Sequence, residues 1–211
     1  MVRFNFFGIP ITILPWFWIT LALIGSRSLQ TTEDLFRLLL FVLAGFISIL
    51  VHELGHGLTI KKLGAETEIV LQAFGGFATY PKDRFNRLQD FLISAAGPSI
   101  QLILGGVSLA INKNIEAESM GKYFLTMLSG ISFVWAIFNL MPIFPMDGGQ
   151  LLNAILGPKR RIATHGISIL AAIALAIIGF KLGYLLIPIF MGLFLYQNVQ
   201  LLKNTSKTPK A

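Results

Sequence analysis

The sequence predicts an all-α membrane protein with six transmembrane helices and a small membrane-associated β element. Three observations lead to this prediction. Of the 211 residues, 55% are hydrophobic and only 13% are charged, whereas a soluble domain is normally about 25% charged. Apolar runs long enough to cross a bilayer recur from end to end. The hydrophilic intervals between these runs are too short for a separate soluble domain.

The apolar runs define six spans. The first is short and contains Pro10 and Pro15, so its opening is also compatible with an extended or interfacial segment. We expect residues 1–202 to form one polytopic membrane domain, followed by a short basic tail at 203–211. The predicted span boundaries are about 9–24, 35–58, 88–111, 121–141, 162–180 and 182–202.

Lys and Arg residues predict the orientation of these spans. With six spans and both termini in the cytoplasm, twelve basic residues lie inside and four outside, and Arg37 lies at the outer edge of the second span. An odd number of spans would remove this asymmetry, which is typical of membrane proteins. The inner set is Arg3, Lys61, Lys62, Lys82, Arg84, Arg87, Lys159, Arg160, Arg161, Lys203, Lys207 and Lys210, and the outer set is Arg27, Lys113, Lys122 and Lys181.

The net charge of +7 is therefore explained by membrane topology, and we expect the lipid bilayer rather than nucleic acid as a partner. No cleavable signal peptide is recognisable at the N-terminus. The chain has no cysteine, which excludes disulfides and cysteine nucleophiles. We expect a multi-pass protein of a prokaryotic cell membrane.

A segment between the second and third spans is not a span. Residues 67–80, "TEIVLQAFGGFATY", combine β-branched and aromatic residues with Gly75 and Gly76 at the centre. This pattern predicts a hairpin. It is compatible with a re-entrant loop covered by protein or a water-filled cavity and with an ordinary cytoplasmic hairpin.

The second span contains the motif "HELGH" at residues 52–56. On a helix, residues four apart share one face, so His52 and His56 can bind one metal ion. Glu53 lies next to His52 and can act as general base on a metal-bound water. Ionisable groups at membrane depth are costly and are usually functional. We therefore favour a metal centre over two histidines that are merely hydrogen-bonded in a bundle.

A catalytic zinc site has three protein ligands and one open position. The third ligand is expected to be a carboxylate, because we interpret His165 as an interfacial residue. Asp147 lies in "FNLMPIFPMDGGQLL", where two prolines and two glycines break the fourth span at its cytoplasmic end. Asp147 can also serve as a helix N-cap, with or without binding metal. Asn139 can hydrogen-bond a substrate backbone or bridge two helices.

Together, "HELGH" and "NLMPIFPMDGG" resemble the motifs of the site-2 protease family of intramembrane zinc metallopeptidases. "AAGPSIQL" at 95–102 is similar to the A-G-P segment of that family, and "FGIPITILP" at 7–15 is similar to its N-terminal opening. The hairpin around Gly75 and Gly76 resembles its membrane-associated β element. Gln101 departs from the Asn that is frequent in the A-G-P segment, and Gln150 departs from the Arg that is frequent after D-G-G.

The resemblance implies a set of roles. One zinc ion per chain would be bound by His52, His56 and Asp147, with Glu53 as the catalytic general base. Asn139, Gly75 and Gly76 would contact substrate. The chain would be a core-only member without PDZ or CBS domains.

The expected function is zinc-dependent hydrolysis of peptide bonds within or near transmembrane segments, as in regulated intramembrane proteolysis. The expected partner is a transmembrane substrate, such as a membrane-bound transcription factor or anti-sigma factor. Two other classes of function are compatible with a buried metal site: a metal transporter or channel, and an inactive protease that binds membrane helices. A transporter has no need for Glu53 beside the first histidine, and no inverted repeat is evident.

Overall fold

The computed structural model describes residues 1–26, 29–81 and 84–207. Arg27, Lys82 and residues 208–211, which enter the predictions above, lie outside the described residues. The described residues contain seven α-helices and four strands. In order they are β1 (Val2–Phe6), β2 (Ile9–Ile13), α1 (Pro15–Gly25), α2 (Thr32–Lys62), β3 (Glu68–Gln72), β4 (Gly75–Thr79), α3 (Arg87–Lys113), α4 (Met120–Asn139), α5 (Asp147–Leu156), α6 (Arg161–Lys181) and α7 (Leu186–Lys207).

One compact unit comprises residues 1–84 and 96–137. Its described strands form a sheet of order β1-β2-β3-β4. The hairpin predicted at 67–80 is confirmed as β3 and β4, with Val70 opposite Phe77. The sheet is larger than predicted, because β2 pairs in parallel with β3 and β1 pairs antiparallel to β2.

The six-span count is not confirmed. Ile9, Ile11 and Ile13 of β2 are buried in one core cluster with Ile69 and Leu71 of β3, so the apolar start of the predicted first span lies in the sheet. Pro15 then begins α1, whose 11 residues extend about 16 Å, less than the roughly 30 Å of a hydrocarbon core. In the part of the chain that the structure describes, five helices are long and apolar enough to cross a membrane: Thr32–Lys62, Arg87–Lys113, Met120–Asn139, Pro158–Lys181 and Leu186–Asn204.

Helix α2 carries the histidine motif and has well-defined ends. The Thr31 side chain and Asp34 form a reciprocal capping box at the N-terminus, which satisfies amide groups that have no partner inside the helix. Lys61 and Lys62 lie in the last turn, where positive charge is favourable. Within the motif, a Cβ on Gly55 would lie 2.7 Å from the Ala96 carbonyl oxygen. The absence of a side chain at Gly55 thus lets α2 contact the backbone of α3.

The second compact unit comprises residues 85–95 and 138 onwards. Its core cluster contains Ile143 and Met146 from the segment before α5, Ala172 from α6 and Met191 from α7. Arg87 donates hydrogen bonds to the Ala154 and Ile155 carbonyl oxygens at the end of α5, at 2.9 and 2.5 Å, where helix carbonyls lack partners within the helix. Helix α7 extends to Lys207, so the first five residues of the predicted tail are helical.

Candidate metal centre

His52 and His56 lie one helical turn apart on α2 and are 3% and 7% exposed. Their Nε2 atoms are 3.1 Å apart. Tetrahedral zinc with bonds of about 2.0–2.2 Å keeps its ligand atoms about 3.3–3.6 Å apart. The separation of the two Nε2 atoms is thus close to the separation of two ligand atoms on one zinc ion.

Among the described residues, one group of His, Asp and Glu side chains can hold a metal ion. It consists of His52, His56 and Asp147, all buried, with one ligand atom of each within 4.8 Å of the others. Two imidazoles and one carboxylate form a ligand set that catalytic zinc sites use, with a fourth position left for water or substrate. The residues present therefore fit zinc.

Asp147 is the first residue of α5, and the N-cap position belongs to Met146. The interpretation of Asp147 as an N-cap is therefore wrong. Met146 is in an extended conformation, so the chain turns one residue earlier than the sequence pattern indicates. As a result, the carboxylate projects from the first helical turn.

Gln101 fixes the orientation of the first metal ligand. Its Nε2 donates to the Ser48 carbonyl oxygen at 3.3 Å and to the Ser48 Oγ at 2.9 Å. A carbonyl only accepts hydrogen bonds, so Oε1 is the atom that faces His52 Nδ1, at 2.9 Å. His52 Nδ1 must then be the donor, which leaves the Nε2 lone pair available for a metal ion. Ser48 in turn bonds Ser132 Oγ at 2.9 Å.

Gly97 provides the space for the second ligand. A Cβ at this position would collide with Nε2 of the His56 ring and would lie 2.6 Å from its Cε1. The structure assigns Gly97 a specific task, because the imidazole of His56 occupies the volume that any side chain at 97 would need.

The glycines of the hairpin pack against the expected catalytic residue and a neighbouring aromatic ring. A Cβ on Gly76 would lie 2.6 Å from Cγ and 2.9 Å from Cδ of Glu53, which is itself only 4% exposed. A Cβ on Gly75 would lie 3.1 Å from the Trp135 ring, and its φ of +121° also favours glycine. Edge strand β4 thus runs directly over Glu53.

Two further polar residues were considered from the sequence. Asn139 is the last residue of α4 and is partly buried, and its proposed contact with substrate stays a prediction. His165 lies outside the metal-binding group. It is only 6% exposed, and its Nδ1 is 3.0 Å from Asn198 Oδ1.

The sequence interpretation missed the roles of Gln101 and Asn198, which are both fully buried. A signal was present, because an amide side chain inside an apolar membrane helix is costly unless it is hydrogen-bonded. The partner, however, lies on another helix, and the spacing along the chain does not reveal it.

Comparison with known proteins places the chain in a family. The model of peptidase family M50 matches residues 107–180. A zinc metalloprotease of Methanocaldococcus jannaschii is 36% identical over 157 residues, which are 74% of this chain and 45% of the relative. A candidate zinc metalloprotease of Synechocystis sp. is 32% identical over 220 residues, covering 92% of this chain and 57% of the relative. The chain thus spans about half the length of these two relatives.

A solved structure, the site-2 protease from Methanocaldococcus jannaschii, has a similar fold. The TM-score is 0.64 at 29% sequence identity, and the match covers 100% of this chain and 97% of the other. Five apolar helices of membrane-spanning length agree with this assignment. The chain is a multi-pass membrane protein that belongs to peptidase family M50, the site-2 protease family.

Proposed function

We propose that the chain is an intramembrane zinc metalloendopeptidase that hydrolyses peptide bonds within or near transmembrane segments, in the manner of regulated intramembrane proteolysis. The observation that carries this proposal is the buried group of His52, His56 and Asp147 with Glu53 next to His52 on the same helix. A metal site with three protein ligands would suit a metal transporter as well as a protease. Peptide hydrolysis needs a general base in addition to the metal ligands, and the buried carboxylate of Glu53 lies beside the first ligand.

The protein's own residues supply binding, orientation and proton transfer. Zinc, when bound there, supplies a Lewis acid that acidifies water and polarises a peptide carbonyl. Glu53 removes the proton of the attacking water and delivers it to the leaving amine. Gln101 holds His52 in the tautomer that binds metal through Nε2.

The proposed substrate is a transmembrane protein, such as a membrane-bound transcription factor or an anti-sigma factor. A membrane helix has all its amides engaged in hydrogen bonds, so it must unwind before hydrolysis. An unwound segment can pair with edge strand β4 by β-augmentation. This mode is supported by the close contact of Gly76 with Glu53, because a strand added to β4 would lie beside the catalytic base. Asn139 is proposed as a further contact to the substrate backbone.

The first prediction concerns Glu53. In purified protein we expect about one zinc ion per chain and cleavage of a membrane-helix substrate. Glu53→Gln should keep the zinc and slow cleavage by about 10²–10⁴-fold, because only the proton acceptor is lost. Glu66→Gln is the matched control, since Glu66 is exposed, and it should cleave normally. If Glu53→Gln cleaves as fast as the wild type, the protease proposal is wrong. Bound zinc without cleavage of any substrate in a broad panel would favour transport.

The second prediction concerns Gly97. Gly97→Ala should weaken zinc binding by about 10-fold or more, because the methyl group displaces the His56 ring. Gly106→Ala is the control, since it lies on the same helix and its Cβ would have no neighbour within 4 Å. Both changes raise helix propensity equally. Zinc affinity is measured by competition with a chromophoric chelator, and equal affinities for the two variants would refute the assigned role of Gly97.

The third prediction concerns substrate unwinding. Two glycines placed at the cleavage-proximal end of a model transmembrane substrate should weaken its helix by about 2 kcal/mol and raise the cleavage rate by up to about 30-fold. The same pair at the opposite end of that helix should have little effect. Initial rates are compared in one detergent or liposome preparation. A uniform poly-leucine helix that is cleaved as fast as the glycine variant would contradict the unwinding step.

The fourth prediction concerns orientation. We propose that both termini and the metal centre face the cytoplasm, which is supported by the distribution of Lys and Arg. Five crossings alone would place the termini on opposite sides, so this proposal requires the segment that contains α1 to carry the chain across the membrane as well. Since the chain contains no cysteine, single cysteines can be labelled without background. Lys62→Cys and Lys159→Cys should react with an impermeant maleimide only after the membrane is opened, and Lys113→Cys should react in intact cells. The reverse pattern would invert the proposed topology.

A further inference from the structure

The segment between α4 and α5 is an irregular turn whose backbone is held by side chains from two later helices. The Phe144 amide donates to Ser168 Oγ of α6 at 3.0 Å. The Phe144 carbonyl oxygen accepts from Asn198 Nδ2 of α7 at 2.6 Å. Both backbone groups of this residue are therefore satisfied by side chains that lie 24 and 54 positions further along the chain.

Asn198 is itself held in one orientation. Its Nδ2 also donates to the Phe194 carbonyl oxygen at 2.8 Å, so two acceptors fix the nitrogen and direct Oδ1 towards His165 Nδ1, 3.0 Å away. His165 must then donate through Nδ1. Its ring also packs edge-on against the Phe144 ring, with centroids 5.6 Å apart.

This network is almost completely excluded from the surface. Ser168 and Asn198 are 0% exposed, and His165 is 6% exposed. Irregular backbone at membrane depth must find its hydrogen bonds within the protein, so part of the network is explained by folding. A single hydroxyl and a single amide would meet that need. His165 orients Asn198 and packs against the Phe144 ring, so it constrains the position of the turn more than the satisfaction of its backbone groups requires.

The turn packs closely against the start of α5. A Cβ on Gly149 would lie 2.5 Å from Phe144 Cα, and a Cβ on Gly148 would collide with the Leu140 and Met141 carbonyl oxygens. The first turn of α5, which carries Asp147, therefore rests directly on the backbone that the network holds. We therefore expect a displacement of Phe144 to move Asp147 with it.

We propose that Ser168, Asn198 and His165 are positioning residues for Asp147. They clamp the Phe144 backbone and thereby fix the carboxylate that completes the metal site. We call these three residues the Phe144 clamp. The inference rests on the proposed role of Asp147 as a zinc ligand, and it assigns a task to three residues that lie outside the ligand and base set.

The test measures metal binding rather than activity. Zinc affinity by chelator competition and the visible spectrum of the Co²⁺-substituted protein are recorded for Ser168→Ala and His165→Phe. Zinc binding should weaken by about 10-fold or more, and the Co²⁺ bands should shift because the carboxylate is displaced. His165→Asn should restore most of the affinity, since its amide nitrogen lies near the position of the lost Nδ1. Thermal unfolding without metal confirms that each variant is folded.

Thr164→Val is the matched control. Thr164 is fully buried on the same helix, and its hydroxyl lies 3.5 Å from the Arg160 carbonyl oxygen of its own segment, so this variant should bind zinc like the wild type. In an Asp147→Ala background, Ser168→Ala should cause no further loss of affinity, because the ligand that the clamp holds is gone.

Three outcomes would overturn the clamp proposal. They are wild-type zinc affinity in both clamp variants, an equal loss in Thr164→Val, or an equal further loss in the Asp147→Ala background. The last two would indicate a general effect on folding. A wild-type protein that binds no zinc would overturn the proposed function together with the clamp. Zinc binding that is insensitive to the clamp would overturn the clamp alone.

Discussion

The structure depends on one physical constraint: each polar group placed among the membrane helices needs a partner from the protein. The hydrocarbon core offers no water to an imidazole or a carboxylate, and an unpaired one is costly. His52 meets this constraint through Gln101, which is 2.9 Å away and is held in turn by Ser48. This hydrogen bond offsets the cost of burying His52, and it also selects the tautomer whose Nε2 can bind a metal ion. Stability and function are thus served by a single interaction.

Close approach between elements is the second requirement, and glycine satisfies it. Gly55 brings α2 against α3, Gly97 leaves space for the His56 ring, and Gly76 allows β4 to lie over Glu53. In each case a methyl group would occupy the space of a backbone atom or of a functional side chain. Packing between membrane helices gains little from the hydrophobic effect, so close contact of small residues contributes more of the stability than in soluble proteins.

The sheet explains why an apolar segment does not necessarily cross the membrane. Ile9, Ile11 and Ile13 are as hydrophobic as the residues of a span, but they are buried against Ile69 and Leu71 of β3. Strands β2 and β3 are separated by more than fifty residues, and their pairing is parallel. Hydropathy measures how strongly a side chain prefers an apolar environment to water. It does not distinguish a lipid neighbour from a protein neighbour.

The sequence by itself determined the chemistry that is local along the chain. The spacing of His52 and His56 follows from the helical period, and the β-branched residues around Gly75 and Gly76 predict the hairpin. Asp147 was identified as the third candidate ligand because it lies where prolines and glycines break the fourth predicted span at its cytoplasmic end. Tertiary structure alone decided the partners of Gln101 and His165, the pairing of β2 with β3 and the contact of Gly76 with Glu53. These depend on contacts between distant segments, and a hydrogen bond between two helices leaves no periodic trace in either of them.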